Sequence, residues 1–362
     1  MNELYLPDLA ARDLGGSVVA ATDELFAERE NLIKAEPPTF RPHTFGPKGQ
    51  LMDGWETRRR RTPGVDHAIV RLGCPGIVRK VVIDTAFFTG NYPPEASVEA
   101  CGVAGYPSPD ELADADWTPL VARSRLSGDT VHEFAVTEPH RFTHVRLSIY
   151  PDGGVARLRV FGEVVADPRL LPPVFDLAAL EHGGRVLDCS NSFYATPNNL
   201  LKPGLARVMG EGWETARRRD DGNDWVSVRL ACAGRPLLAE IDTTHFVGNA
   251  PGWASLTGDG GTLLPRTRLQ PDTRHRFVLD GTQASQVRLD VFPDGGVSRL
   301  RLYGAPTETG RAELSLRFAN ALPDGQLVGL AGESAVRGRP YPDAAALPEA
   351  LRLAGPGAGG DR

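Results

Sequence analysis

A chain of 362 residues is long enough for two domains that each bury a core. Its 41% apolar and 24% charged content is that of a globular protein, and a net charge of −6 argues against a general nucleic-acid binder, which needs a basic excess to displace counterions. No stretch approaches the ~18 apolar residues of a membrane span, and the opening MNELYLPDLAARD lacks a basic-then-apolar secretory signal, so a cytoplasmic location is expected.

Read from the N-terminus, most motifs occur twice. GGSVV at 15–19 returns as GGRVL at 183–187, and NLIK at 31–34 as NLLK at 199–202. GWETRRRR at 54–61 returns as GWETARRR at 212–219, RLGCPG at 71–76 as RLACAG at 229–234, and DTAFFTGNYP at 84–93 as DTTHFVGNAP at 242–251. RSRL at 123–126, HEF at 132–134 and VRLSIYPDGGVARLRVFG at 145–162 return as RTRL at 266–269, HRF at 275–277 and VRLDVFPDGGVSRLRLYG at 287–304. Eight correspondences in one order make the chain a tandem duplication. The division is a first repeat at 12–163, a linker at 164–180 centred on Pro172 and Pro173, a second repeat at 181–305 and an unrepeated tail at 306–362. Within the tail, LSLRFANAL and AALPEALRL read as short helices, and GPGAGGDR as a frayed end.

Inside a repeat the pattern is β. KVVIDTAFF and LLAEIDTTHF read as buried strands, and the alternation on both sides of PDGG reads as a hairpin. Forty glycines and thirty prolines point the same way, to short strands joined by turns. The fold class expected is all-β: two tandem jelly-roll β-sandwich domains (galactose-binding-like) with a short helical C-terminal tail.

Two blocks carry candidate chemistry. If GWETRRRR runs as a strand, Trp55, Thr57, Arg59 and Arg61 share one side and Glu56, Arg58 and Arg60 the other. Arginine's planar fork suits a carboxylate or a ureido oxygen, which selects Arg59, Arg60, Arg217 and Arg218 as substrate-binding candidates. Glu56 and Glu214 are candidates to orient the forks or handle protons; Arg58 is replaced by Ala216 in the second copy. The same residues also suit a structural ion-pair network. DTxxFxGN places Asp84 and Asp242 at strand ends and Asn91 and Asn249 past a turn, where they read as a site edge or as Asx-turn residues. His245 replaces Phe87 in the second copy and is a candidate general acid or base. His132 and His275 sit in matched strands and read as structural, and His43 lies in a first-repeat insertion. PDGG reads as a turn without chemistry, since proline presets φ, aspartate caps and glycine takes positive φ.

Cys74, Cys101, Cys189 and Cys232 are scattered without CxxC spacing and fit neither a disulfide framework nor a zinc knuckle. There is no GxSxG, no Walker loop, no GxGxxG before a helix and no HExxH. The residues call for no cofactor and commit to no metal ligand, which leaves activation by a divalent metal open.

With its duplicated GWETRR, DTxxFxGN and RLxxxPDGGxxRLRxxG blocks, and the opening LPDLAARDLGGSVVAATDELFAERENLIK, the sequence resembles the allantoicase (allantoate amidinohydrolase) family over about residues 5–305. The resemblance implies two repeated jelly-roll domains and hydrolysis of allantoate to ureidoglycolate and urea in purine breakdown. Two alternatives remain at this stage: a hydrolase of a related ureido compound such as ureidoglycolate, and a non-catalytic ligand- or carbohydrate-binding β-sandwich protein. The partner expected is a small molecule, not nucleic acid or membrane, and the chain is expected to form a homo-oligomer.

Overall fold

In each repeat one long strand organises the others. Asp66–Asp84 and Asp224–Asp242 each run for 19 residues, far beyond the usual five or six. Each passes through the glycine-containing RLGCPG or RLACAG segment, where the ladder register shifts between Arg71 and Gly76, and between Arg229 and Gly234. The shift lets the two halves of one strand join different layers.

The computed structural model describes residues 5–353. Residues 8–165 with 321–329 form one unit and the remaining described residues the other. In the first unit, the leading half of Asp66–Asp84 pairs with Ser17–Ala21 on one side and Arg141–Tyr150 on the other. That layer continues to Glu95–Cys101 and Thr118–Arg125. The trailing half pairs with Arg157–Val164 and Val131–Ala135. Alternate residues point between the layers, so Val70, Leu72, Val81, Ile83, Leu147 and Leu158 are fully buried there. The second unit repeats the plan: Arg185–Cys189 and Ala284–Phe292 flank the leading half, and Arg299–Pro306 and Arg274–Val278 the trailing half. Both units are β-sandwiches.

The expected PDGG hairpin does not form. Arg141–Tyr150 and Arg157–Val164 pair with opposite halves of Asp66–Asp84, and among the described residues no ladder joins them to each other. PDGG therefore carries the chain from one layer to the other. Alternation identifies both strands but is blind to which partner each takes.

Phe175–Asp176 pairs with Tyr303 and Gly304, so this stretch joins the second unit's sheet. LSLRFANAL, all but its final Leu322, lies in the helix Glu308–Ala321, which is followed by Asp324–Ala331 and Glu333–Arg337. AALPEALRL is not one helix but two single 3-10 turns, Ala344–Ala346 and Glu349–Leu351, because Pro348 cannot donate into a continuous helix. GPGAGGDR lies outside the described residues. Among the described residues no helix is long and apolar enough to cross a membrane.

The second PDGG glycine admits no side chain. A Cβ on Gly154 would fall inside the Phe88 ring, and one on Gly296 inside the Phe246 ring. Gly154→Ala or Gly296→Ala is expected to destabilise its unit by about 1–3 kcal/mol, the usual cost of overpacking, measured as a lowered denaturant midpoint.

Candidate active site

The tryptophan of GWET anchors the site. Trp55 is fully buried and donates its indole N–H to Asp23 O at 2.7 Å; Trp213 is likewise buried and donates to Asn191 O at 2.8 Å. The strand Trp55–Glu56 pairs with Gly154–Val155, and Trp213–Glu214 with Gly296–Val297. Tryptophan in and glutamate out follows from strand alternation. Asn31 and Asn199, from the repeated NL motif, hold the preceding carbonyls of Gly54 and Gly212 at 2.9 and 3.0 Å.

The outward glutamate meets the asparagine of DTxxFxGN in both units. Asn91 Nδ2 donates to Glu56 Oε1 at 2.7 Å, and Asn249 Nδ2 to Glu214 Oε1 at 2.6 Å. Burial pushes the Glu56 carboxyl above the ordinary glutamate range, against the lowering effect of the Asn91 amide. Asn249 Nδ2 also lies 3.5 Å from Met209 Sδ.

The arginines divide into two kinds. Arg60 Nη1 reaches the buried Asp66 at 2.6 Å, and Arg218 Nη1 the buried Asp224 at 2.8 Å. Arg58 pairs with Asp23 at 2.5 Å. Arg59 and Arg217, at the same repeat position, are exposed and have no hydrogen-bond or ion-pair partner among the described residues.

The remaining candidates hold turns. Asp84 Oδ1 accepts from Ala86 N at 2.8 Å, and Asp242 Oδ1 from Thr244 N at 2.9 Å and Thr244 Oγ1 at 2.5 Å, which is Asx-turn geometry. Phe87 and His245 share a left-handed backbone, φ 67° and 74°, steadied by Asp129 and Asp272 accepting from their backbone N–H groups at 2.8 Å. The Phe87 ring stacks on Phe40, whereas His245 Nε2 lies 3.0 Å from Ala206 O. His132 and His275 serve loop backbones at Ser127 and Gln270. Among the described residues no group of three or more His, Cys, Asp or Glu is arranged to hold a metal. A cavity of about 460 Å³ in the second unit is lined by Asp176, His182, Glu240, Arg274 and Tyr303 among others, and by none of the candidates above.

The profile of the allantoicase repeat matches residues 7–165 and again 175–307. The chain belongs to the allantoicase family. A probable allantoicase of Nocardia farcinica is 58% identical over 310 residues, covering 83% of this chain and 94% of that protein. One of Streptomyces coelicolor is 52% identical over 331 residues, covering 86% and 88%. The crystal structure of the allantoicase from Saccharomyces cerevisiae is 34% identical, with a TM-score of 0.71 over 82% of this chain and 92% of that one.

Several residues that build this site in both units escape a reading of residue types. Thr57 and Thr215 bond Gly153 and Gly295, and Asp152 and Asp294 accept from the backbone of Arg60 and Arg218. Asp66 and Asp224 stand at equal repeat positions, and that retention is the signal that finds them.

The Glu56 shift has a consequence for stability. The folded carboxyl holds its proton to higher pH than the unfolded one, so its stabilising contribution is present below pH 4.5 and is lost as pH rises through the raised value. Glu56→Gln keeps the acceptor for Asn91 and removes the titration. Its denaturation midpoint, followed upward from pH 4.5, is expected to fall less than that of the wild type.

Proposed function

We propose that this protein hydrolyses allantoate to ureidoglycolate and urea, a step of allantoin degradation. Family membership across both repeats supports the reaction. At residue level the reading is carried by the hydrogen-bonded glutamate and asparagine, found in each unit with an unpartnered arginine three residues after the glutamate.

The reaction breaks the bond from the central carbon to one ureido nitrogen and forms a bond from that carbon to a water oxygen. The departing nitrogen gains a proton and the water loses one. Glu56 and Glu214 are assigned this proton traffic, and the burial that raises the Glu56 carboxyl suits that residue to carry a proton. Asn91 and Asn249 orient those carboxylates and offer amide groups to the ureido arms. Arg59 and Arg217 bind the substrate carboxylate, because their forks are not already committed to a protein carboxylate. Arg60 and Arg218 stiffen the same segment through Asp66 and Asp224. Asp84 and Asp242 shape the turns that deliver the asparagines, and His245 ties the second unit's turn to Ala206.

Purified protein given allantoate is expected to release urea, assayed with and without a chelator and with divalent metal restored; no urea under any of these conditions overturns the reading. In that assay the double variant Glu56→Gln/Glu214→Gln is expected to lower kcat by roughly 10²- to 10⁴-fold, the range for lost acid–base catalysis. Arg59→Ala/Arg217→Ala is expected to raise KM by about tenfold or more while kcat changes little, as loss of a charged hydrogen bond to substrate requires.

Free thiols at all four cysteines support a reducing, cytoplasmic setting, which fractionation of cells would check. Exposed Phe193, Tyr194, Val208 and Val247 in the second unit support a homo-oligomer. Sedimentation at the mass of one chain would refute that expectation.

A further inference from the structure

The Pro-Asp-Gly-Gly turn bonds to the asparagine, to the glutamate-bearing strand and to the arginine segment of the candidate site within its own unit. In the first unit, Gly154 N donates to Asn91 O at 2.7 Å, and Gly154–Val155 pairs with the strand that bears Glu56. Thr57 N donates to Gly153 O at 3.1 Å while Gly153 N donates to Thr57 Oγ1 at 3.2 Å. Arg60 N donates to Asp152 Oδ2 at 2.8 Å. The second unit repeats the set with the same atoms: Gly296 N to Asn249 O at 2.9 Å, Thr215 N to Gly295 O at 3.3 Å, Gly295 N to Thr215 Oγ1 at 3.0 Å and Arg218 N to Asp294 Oδ2 at 2.8 Å.

Residues 58–60 and 216–218 lie in neither helix nor strand, so no ladder fixes their backbone. Their course is set at one end by the threonine–glycine pair and at the other by the aspartate. Arg59 and Arg217 sit between those two fixed points. A turn by itself needs only the proline and the glycine; an Asx cap would use the carboxylate on the turn's own backbone. Here Oδ2 reaches a residue 92 positions away in one unit and 76 in the other.

We infer that Asp152 and Asp294 are positioning residues, which hold the Arg59 and Arg217 forks in place for the substrate carboxylate. The inference rests on the allantoate-hydrolase reading above. A carboxylate so placed acts on binding of the substrate's acid group and leaves proton transfer at the glutamates untouched. Asparagine in its place keeps an oxygen acceptor for the backbone N–H, whereas alanine does not.

The test uses the full chain with allantoate, comparing Asp152→Ala/Asp294→Ala with Asp152→Asn/Asp294→Asn and the wild type. The alanine pair is expected to raise KM about tenfold with kcat within about twofold, and the asparagine pair to recover most of the lost affinity. Two competitive inhibitors separate positioning from general loosening. The Ki of N-carbamoylglycine, which has a ureido group and a carboxylate, should rise with KM; that of methylurea, which lacks the carboxylate, should not. An unchanged KM in the alanine pair overturns the inference, as does an equal weakening of both inhibitors or a loss confined to kcat. A wild-type protein that releases no urea instead overturns the reaction assigned above.

Discussion

A single aromatic ring in each unit sets the distance between the three segments that make the site. Phe88 is fully buried between Gly54 and Gly154, and Phe246 between Gly212 and Gly296; a side chain at any of these glycines would collide with the ring or the backbone beside it. The ring belongs to DTxxF, one glycine begins GWET and the other ends PDGG. Contact with a flat ring on both sides lets the Trp55–Glu56 and Gly154–Val155 backbones approach and pair. The asparagine then follows three residues after the phenylalanine, within reach of the glutamate. The glycines at Gly153 and Gly295 complete the path, since φ of 144° and 132° is a backbone that L side chains rarely adopt.

Charge is sorted on this frame by burial. Asp66 and Asp224 are almost wholly buried, and each holds one arginine of the basic run, an arrangement that would be costly for an unpaired carboxylate. Thr22 and Ser190 add hydroxyl donors at 2.9 Å to the same carboxylates. The neighbouring Arg59 and Arg217 are exposed, with no ion-pair partner among the described residues. Adjacent residues of one type thus differ in setting: one is tied to a buried carboxylate and the other lies exposed.

The duplication also shows what the fold can do without. Where the second unit buries Glu240 against Arg274, the first has Val82 and Val131 at the same register positions; where the second has Tyr303, the first has Phe161. The sandwich stands with either set, so the buried ion pairs are not a requirement of the architecture. The glutamate–asparagine pair, the threonine–glycine exchange and the aspartate cap are present in both units with the same donors and acceptors.

The duplication, the β class and the block of candidate residues were legible in the sequence because each is a local or periodic property. Motif recurrence needs no coordinates, and alternation marks a strand whoever its partner is. Residue type was enough to select Glu56, Asn91 and Arg59 together with their second-repeat counterparts. It did not separate Arg59 from Arg60, whose difference is the buried Asp66 beside one of them. Nor did it reveal that PDGG bridges two layers, since a strand's partner is chosen by the long-range packing of Asp66–Asp84 and not by its own pattern. The sequence by itself determined which segments are strands and which residue types gather in each repeat. The tertiary structure alone decided which carboxylates cap turns, which arginines are neutralised and which remain open, because those outcomes depend on burial and on partners up to about a hundred residues away.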